Sequence, residues 1–231
     1  MDYSLPTLYV EGVDDVSFVS ALLSRHGVNT ERGTKHLFIK SLTNVDAVID
    51  SIPPAIKQAT SRPIGFVVDI DIEITHRWAA VRARLSQIEI SAPDRCPRNG
   101  FFGQLPDYPH QFGIWLMPDC ETDGCKLEHL VQTLIPKANP LWPHAQQSTG
   151  TAATLIDKAN ITTEEADKRW KRFSDTNRIK AEVRSWLAWQ KDPGCALGAA
   201  VNDRILGCDS PEAMAFLRWV KKLYGFAELN V

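Results

Sequence analysis

Three short runs of β-branched and aromatic residues, each followed by a stretch of helical apolar spacing, constrain the fold of this chain more than any other feature. The runs are Leu8-Tyr9-Val10, His36 to Leu42 and Pro63 to Val68, with the composition of buried strands. After the first, Val16, Phe18, Val19, Leu22 and Leu23 recur at helical spacing between Asp14 and His26, with Asp14 or Asp15 as N-cap and Gly27 as the stop. After the second, Asn44 opens a stretch that puts Val45, Val48, Ile49 and Ile52 on one face until Pro53-Pro54 interrupts it. After the third, Trp78, Val81, Leu85 and Ile88 share a face between Thr75 and Ile88. Strand and helix alternating over short connections predict an α/β fold, a parallel sheet flanked by crossover helices whose ligands gather at the strands' carboxyl ends.

Residues 91–111, rich in proline and glycine, read as a long loop with a short strand at Phe101-Phe102. Phe112 to Met117 is a further apolar run ending in Pro118-Asp119, and Lys126 to Ile135 reads as the next helix. From Pro136 onward only helical stretches follow, at Ala152 to Lys158, Thr163 to Phe173, Arg178 to Gln190 and Pro211 to Leu223. Ser210-Pro211-Glu212 has the chemistry of a helix start, with proline at the first helical position. The expected organisation is an α/β domain over 1–135 with a helical C-terminal extension, 136–231, packed on it.

A chain of 231 residues, 44% of them hydrophobic, is long enough to bury one sizeable core. Its net charge of -2 excludes a generally basic nucleic-acid binder, whose affinity rests on releasing many counterions. Any nucleic-acid contact is then local or metal-assisted, and a protein partner that captures substrate fits the weak charge. Five cysteines, an odd number without a C-x-x-C pair, argue against a disulfide framework and for a reducing compartment. No signal-peptide pattern and no 18-residue apolar window occur in the sequence, so a cytoplasmic protein without a membrane span is expected.

The chemistry concentrates where the strand runs end. Glu11, followed by Gly12, closes the first; Asp69 and Asp71 close the third; Asp119 follows the fourth. Magnesium takes oxygen ligands and keeps several waters, so a few carboxylates from separate strand ends suffice to hold it beside a phosphate. In Asp69-Ile70-Asp71 the two acids share a side if the chain stays extended, and a turn splays them. Asp15, one helical turn from Glu11, is either a holder of metal-bound water or a helix cap, and Glu73 adds an acid. Arg77, Lys126 and Lys180 are the cations that could face a phosphate's non-bridging oxygens. Taken singly, a strand-end Glu-Gly or an Asp-x-Asp is turn chemistry.

Together and in order they resemble a known pair of signatures. Leu8-Tyr9-Val10-Glu11-Gly12-Val13-Asp14-Asp15-Val16-Ser17-Phe18 and Phe66-Val67-Val68-Asp69-Ile70-Asp71 resemble the two motifs of the Toprim fold, shared by topoisomerases, bacterial primases and OLD-family nucleases. The Val-Glu-Gly-x-x-Asp form and the short length look closest to the OLD-related nuclease branch. Gly113 to Asp119 and Lys180 to Pro193 look similar to small uncharacterised bacterial relatives. The resemblance covers about residues 5 to 135. It implies a central four-stranded parallel sheet binding magnesium, with Glu11, Asp69 and Asp71 as ligands and catalytic residues. Beside that set, position and charge make Asp15 and Asp119 candidates for further ligands and Arg77 and Lys180 candidates for catalytic cations, and an oxygen-rich site of this kind accepts manganese as well. The implied activity is phosphodiester cleavage of DNA or RNA. The alternative is a non-catalytic module holding magnesium or a nucleotide phosphate, and nucleotidyl transfer uses the same two-metal chemistry. The chain departs from primases and topoisomerases in lacking their cysteine clusters and tyrosine regions, and no glycine follows Asp71 closely. Cys120, Cys125 and His129 lack the fourth ligand of a structural zinc site, and Trp186 and Trp189 read as core packing.

Overall fold

The expected strands form as β1 (Thr7–Val10), β2 (Phe38–Ser41), β3 (Ile64–Asp69) and β5 (Phe112–Met117), with a short β4 (Phe101–Gly103) before the last. The computed structural model describes residues 5–30, 36–71, 73–158 and 173–231, with side chains for all of these but 156–158. Its helices are α1 (Val13–Arg25), α2 (Val45–Gln58), α3 (Ile74–Ser86), α4 (Leu127–Leu134), α5 (Leu141–Lys158), α6 (Arg178–Ala188), α7 (Leu197–Asn202) and α8 (Pro211–Tyr224). The fold is α/β, as the alternation predicts. The helical stretch expected at 163–173 lies, but for its last residue, outside the described residues. No helix among the described residues is long and apolar enough to cross a membrane.

The sheet has the order β2-β1-β3-β5-β4. β1 pairs in parallel with both β2 and β3, and β3 in parallel with β5. β4 runs antiparallel on the edge, so the four-stranded parallel sheet is extended by one short strand. The chain steps from β1 to β2 in one direction and from β2 across β1 to β3 in the other. Crossovers of one hand then put α1 and α2 on opposite faces, and the switch between β1 and β3 leaves a crevice at their carboxyl ends.

Three helix details differ from expectation. The N-cap of α1 is Gly12, and Asp15 occupies the third position of the first turn, where its carboxylate accepts the Gly12 N–H at 3.0 Å. Pro53 and Pro54 lie inside α2 without ending it. Each missing amide weakens the helix, but burial of Val48, Ile49, Ile52, Pro53, Ala55 and Ile56 along one face offsets the loss. Asn44 caps α2 as read, accepting the Ala47 N–H at 2.8 Å. Helix α5 begins at Leu141 rather than Ala152, because Pro143 falls in its first turn, where proline is tolerated, and Gly150 breaks the periodicity that sequence reading follows.

The chain divides into two compact units, residues 1–134 with 196–231, and residues 135–195. α7 and α8 fall in the sheet unit, so the C-terminal residues are divided between the two units. Glycines make that return possible. At Gly65 and Gly113 an added Cβ would fall 2.9 Å and 2.8 Å from the Leu223 side chain of α8, and at Gly198 of α7 it would fall 2.3 Å from the Ser17 carbonyl of α1. Ser210 caps α8 by accepting the Ala213 N–H at 3.2 Å, and Gly225 ends it in the left-handed region, at φ 70°. The buried core of this unit includes Phe18, Leu22, Ile52, Phe66, Trp78, Trp115, Phe216 and Trp219. In the second unit α5 packs on α6, and Trp186 is fully buried, its indole N–H donating to Asn139. Trp189 is instead 40% exposed and lies against His144, the rings tilted by 33°.

The Gly198 contact is with backbone, which cannot rotate away. Gly198→Ala should therefore lower the stability of the protein by about 1–3 kcal/mol, the usual range for overpacking, with the urea midpoint as the measurement. An unchanged midpoint would mean that α7 is not seated on α1 as described.

Candidate functional site

Parallel pairing brings the carboxyl ends of β1 and β3 side by side, Thr7 opposite Ile64 and Tyr9 opposite Phe66. Glu11 follows the last residue of β1 and Asp69 is the last of β3, so both stand at the mouth of the switch-point crevice. Asp15, held by its bond to Gly12, joins them from the first turn of α1. Glu128 joins from the first turn of α4, and it is 5% exposed.

Electrostatics link these four acids, since Glu11 and Glu128 act on both Asp15 and Asp69, and Asp15 acts on Asp69. Burial pushes the Asp15 carboxyl up from 3.8 to about 7, against the lowering effect of its bond to Gly12, with Glu11 and Glu128 raising it further. Burial also holds the Asp69 carboxyl well above its ordinary value, and the charges of Asp15, Glu11, Glu128 and Asp71 add to the effect. Like charges in a poorly solvated crevice cannot all ionise unless a cation enters.

Asp71 takes a different course. Its φ of 63° is left-handed, a conformation that aspartate tolerates better than most residues. The amides of Ile70 and Asp71 both donate to the Cys125 carbonyl, at 3.1 and 2.9 Å, which fixes the turn. The two acids of Asp69-Ile70-Asp71 are thereby splayed. Asp69 faces the other carboxylates, and Asp71 meets Arg77 at 2.9 Å and Lys126 at 3.2 Å. Both cations are largely covered, at 16% and 12% exposure.

Asp119 does not join the acids. It closes its own turn, one oxygen accepting the Glu121 and Thr122 amides and the other the Thr122 hydroxyl. Glu73 is exposed at the N-cap of α3. Lys180 is exposed on α6 of the second unit and is not assigned to this site. Glu128 was missed by sequence reading: it lies in a helix whose buried face periodicity alone did not single out, and the Lys126-Leu127-Glu128 start gave no motif. Cys120, Cys125 and His129 form no zinc site among the described residues. Cys120 accepts the Leu116 amide and His129 accepts the Lys126 amide.

A family described as a protein of unknown function, DUF3226, matches residues 6–225. The chain belongs to that family. No curated protein and no solved structure matches this DUF3226 chain. Its match spans the strands, the acids and the returning helices alike, so sheet and C-terminal segment belong to one family unit.

Whether magnesium fits is decided by the donors. Among the described residues no three His, Cys, Asp or Glu side chains converge as a finished metal cage. Asp15 is turned to Gly12 and Asp71 to its cations. What Glu11, Asp15, Asp69 and Glu128 offer is an all-oxygen set of excess negative charge, which suits a hard cation that keeps its waters and takes one or two carboxylates directly.

In the metal-free DUF3226 chain the raised carboxyls set a pH dependence. Asp15 titrates near 3.8 when unfolded and near 7 when folded, so between these values the native state binds the extra proton and stability falls as pH rises. Asp15→Asn keeps an oxygen for the Gly12 amide and removes the charge. Relative to wild type, this variant should gain stability progressively from about pH 4 to about pH 7, by an amount on the order of a few kcal/mol. Urea midpoints of both proteins across that range in EDTA are the measurement, and a pH-independent difference would refute the crowding of acids.

Proposed function

We propose that the protein is a magnesium-dependent phosphodiesterase of the Toprim type, a nuclease acting on DNA or RNA. The observation that carries this reading is the mutual electrostatic influence of Glu11, Asp15, Asp69 and Glu128 around the carboxyl ends of β1 and β3, with Asp71 held between Arg77 and Lys126. Acidic oxygens for a cation next to largely covered guanidinium and ammonium groups for an anion meet the two requirements of phosphoryl chemistry. The order of Glu11 and Asp69-Ile70-Asp71 along parallel strands agrees with the Toprim resemblance.

Glu11 and Asp69 would hold magnesium, or manganese, and Asp15 and Glu128 would add charge around its water shell. When bound, the ion supplies a polarised phosphate and a water of lowered pKa. Arg77 and Lys126 would donate N–H bonds to the non-bridging oxygens of a phosphate at the crevice. Asp71 keeps both cations in place until such a phosphate competes for them. The covered positions of Arg77 and Lys126 limit their hydration, which strengthens the contact they make with an anion.

The weak net charge supports a protein partner that brings the nucleic acid to the site. Five free cysteines support a reducing, cytoplasmic setting. A second reading rests on Asp71: with both its oxygens occupied by cations, the protein binds one magnesium or a nucleotide phosphate without cutting, as a regulatory module.

Plasmid, linear and single-stranded DNA and RNA, offered with magnesium or manganese, separate the two. The nuclease reading expects cleavage by the wild type that falls at least 100-fold in Glu11→Ala and Asp69→Ala, the scale of losing metal-held transition-state charge. Metal binding without turnover supports the module, and metal binding unchanged in both variants removes the site altogether.

A further inference from the structure

The loop 91–100 and the turn after β5 meet at a cavity of about 380 Å³, lined by Trp78, Arg95, Cys96, Arg98, Cys120 and Glu121 among others. Two of these residues carry thiols, brought together from separate parts of the chain. Cys120 is 2% exposed and Cys96 is half-buried. The backbone at Cys120 is left-handed, at φ 61°, and its sulfur turns back to accept the Leu116 amide at 3.3 Å. Cys96 lies close enough to raise the Cys120 thiol, while its own thiol donates to the Pro97 carbonyl at 3.8 Å. Two neighbouring thiols on one cavity wall need only a short approach to form a disulfide once an oxidant is present. Cys96 lies on an irregular segment, which can supply that movement more readily than a strand.

We propose that Cys96 and Cys120 are a reversible redox-modification site, oxidised to an intramolecular disulfide by a low-molecular-weight disulfide that enters through the cavity. Cys96 is the more accessible sulfur and reacts first. As its thiolate it attacks one sulfur of the small disulfide, forming a mixed disulfide and releasing one small thiolate. The released thiolate takes the proton of Cys120. Cys120 then attacks the Cys96 sulfur, the mixed disulfide breaks, and the second small thiolate leaves. Two protein thiols are oxidised and one small disulfide is reduced to two thiols. Burial holds the Cys120 proton tightly, which assigns Cys120 the second, resolving step.

The position gives the modification a consequence. Cys120 begins the segment that ends in the Cys125 carbonyl, which fixes the Ile70-Asp71 turn, and in Lys126, which holds Asp71. Oxidation would pull on the start of the segment that positions Asp71. That link to the acids rests on the function proposed above, whereas the thiol chemistry does not.

The full-length reduced protein is treated with oxidised glutathione, quenched with an alkylating agent and analysed by intact mass and peptide mapping. The expected result is loss of two of the five alkylatable thiols, a linked peptide containing Cys96 and Cys120, and full recovery with dithiothreitol. Cys120→Ser should trap glutathione on Cys96, and Cys96→Ser should give no link to Cys120. Five alkylatable thiols after treatment, a link between other cysteines, or a Cys120→Ser protein with Cys96 free would each overturn the proposal. The wild-type map decides even where a variant folds poorly. A protein that forms this link but cleaves nothing refutes the nuclease reading alone, and one that cleaves but forms no link refutes the redox site alone.

Discussion

Parallel pairing of β1 between β2 and β3 is the constraint on which the arrangement of charge depends. A parallel neighbour cannot be reached by a hairpin, so each pairing requires a crossover helix. The reversal of direction at β1 leaves the carboxyl ends of β1 and β3 without a helix crossing over them. Glu11 and Asp69 stand there because they directly follow or end those two strands. The sheet supplies the backbone bonds that hold them close, and its energy comes from the apolar runs that precede each acid. Thus the residues that fold the strand are also those that fix the carboxylate.

Holding the acids together has an electrostatic cost that the fold leaves open to two remedies. Protons can neutralise Asp15 and Asp69, which is why burial and neighbouring charge raise both. A cation can do the same without protons. The two compete, so a bound divalent ion would return both carboxyls to their ionised forms and release protons as it enters. Asp71 is paired instead with Arg77 and Lys126. The Asp-x-Asp pair is therefore two groups in opposite electrostatic settings, separated by one left-handed turn.

The apolar runs made the strands and most helices legible, since local composition and period decide them. Asn44 and Ser210 were readable at helix starts because their side-chain oxygens satisfy amides three residues on. Long-range contacts were not readable. The helix through Pro53-Pro54 survives because of burial against its neighbours, a tertiary effect that outweighs local propensity. The return of α7 and α8 to the sheet unit depends on close approach at Gly65, Gly113 and Gly198, glycines that look unremarkable in sequence. In the site, Glu11 and Asp69 were legible as strand ends. Asp119 resembled them in position and differs only in what its oxygens accept.

Glu128 shows most directly why a site of this kind exceeds its motif. Nothing near it in sequence marks it as functional, yet it is as buried as the core and raises both Asp15 and Asp69. A buried glutamate beside other acids destabilises a fold unless something offsets it. Helix N-termini favour negative charge by a modest amount, and the first turn of α4 provides that for Glu128. The offset is small beside the burial of Asp15 and Glu128 and the partial covering of Glu11 and Asp69, so the remaining imbalance is the physical argument behind the proposed cation. Under the proposed function, the electrostatic imbalance around Asp15 and Asp69, rather than the short motif, would give those carboxylates a reason to take up a cation.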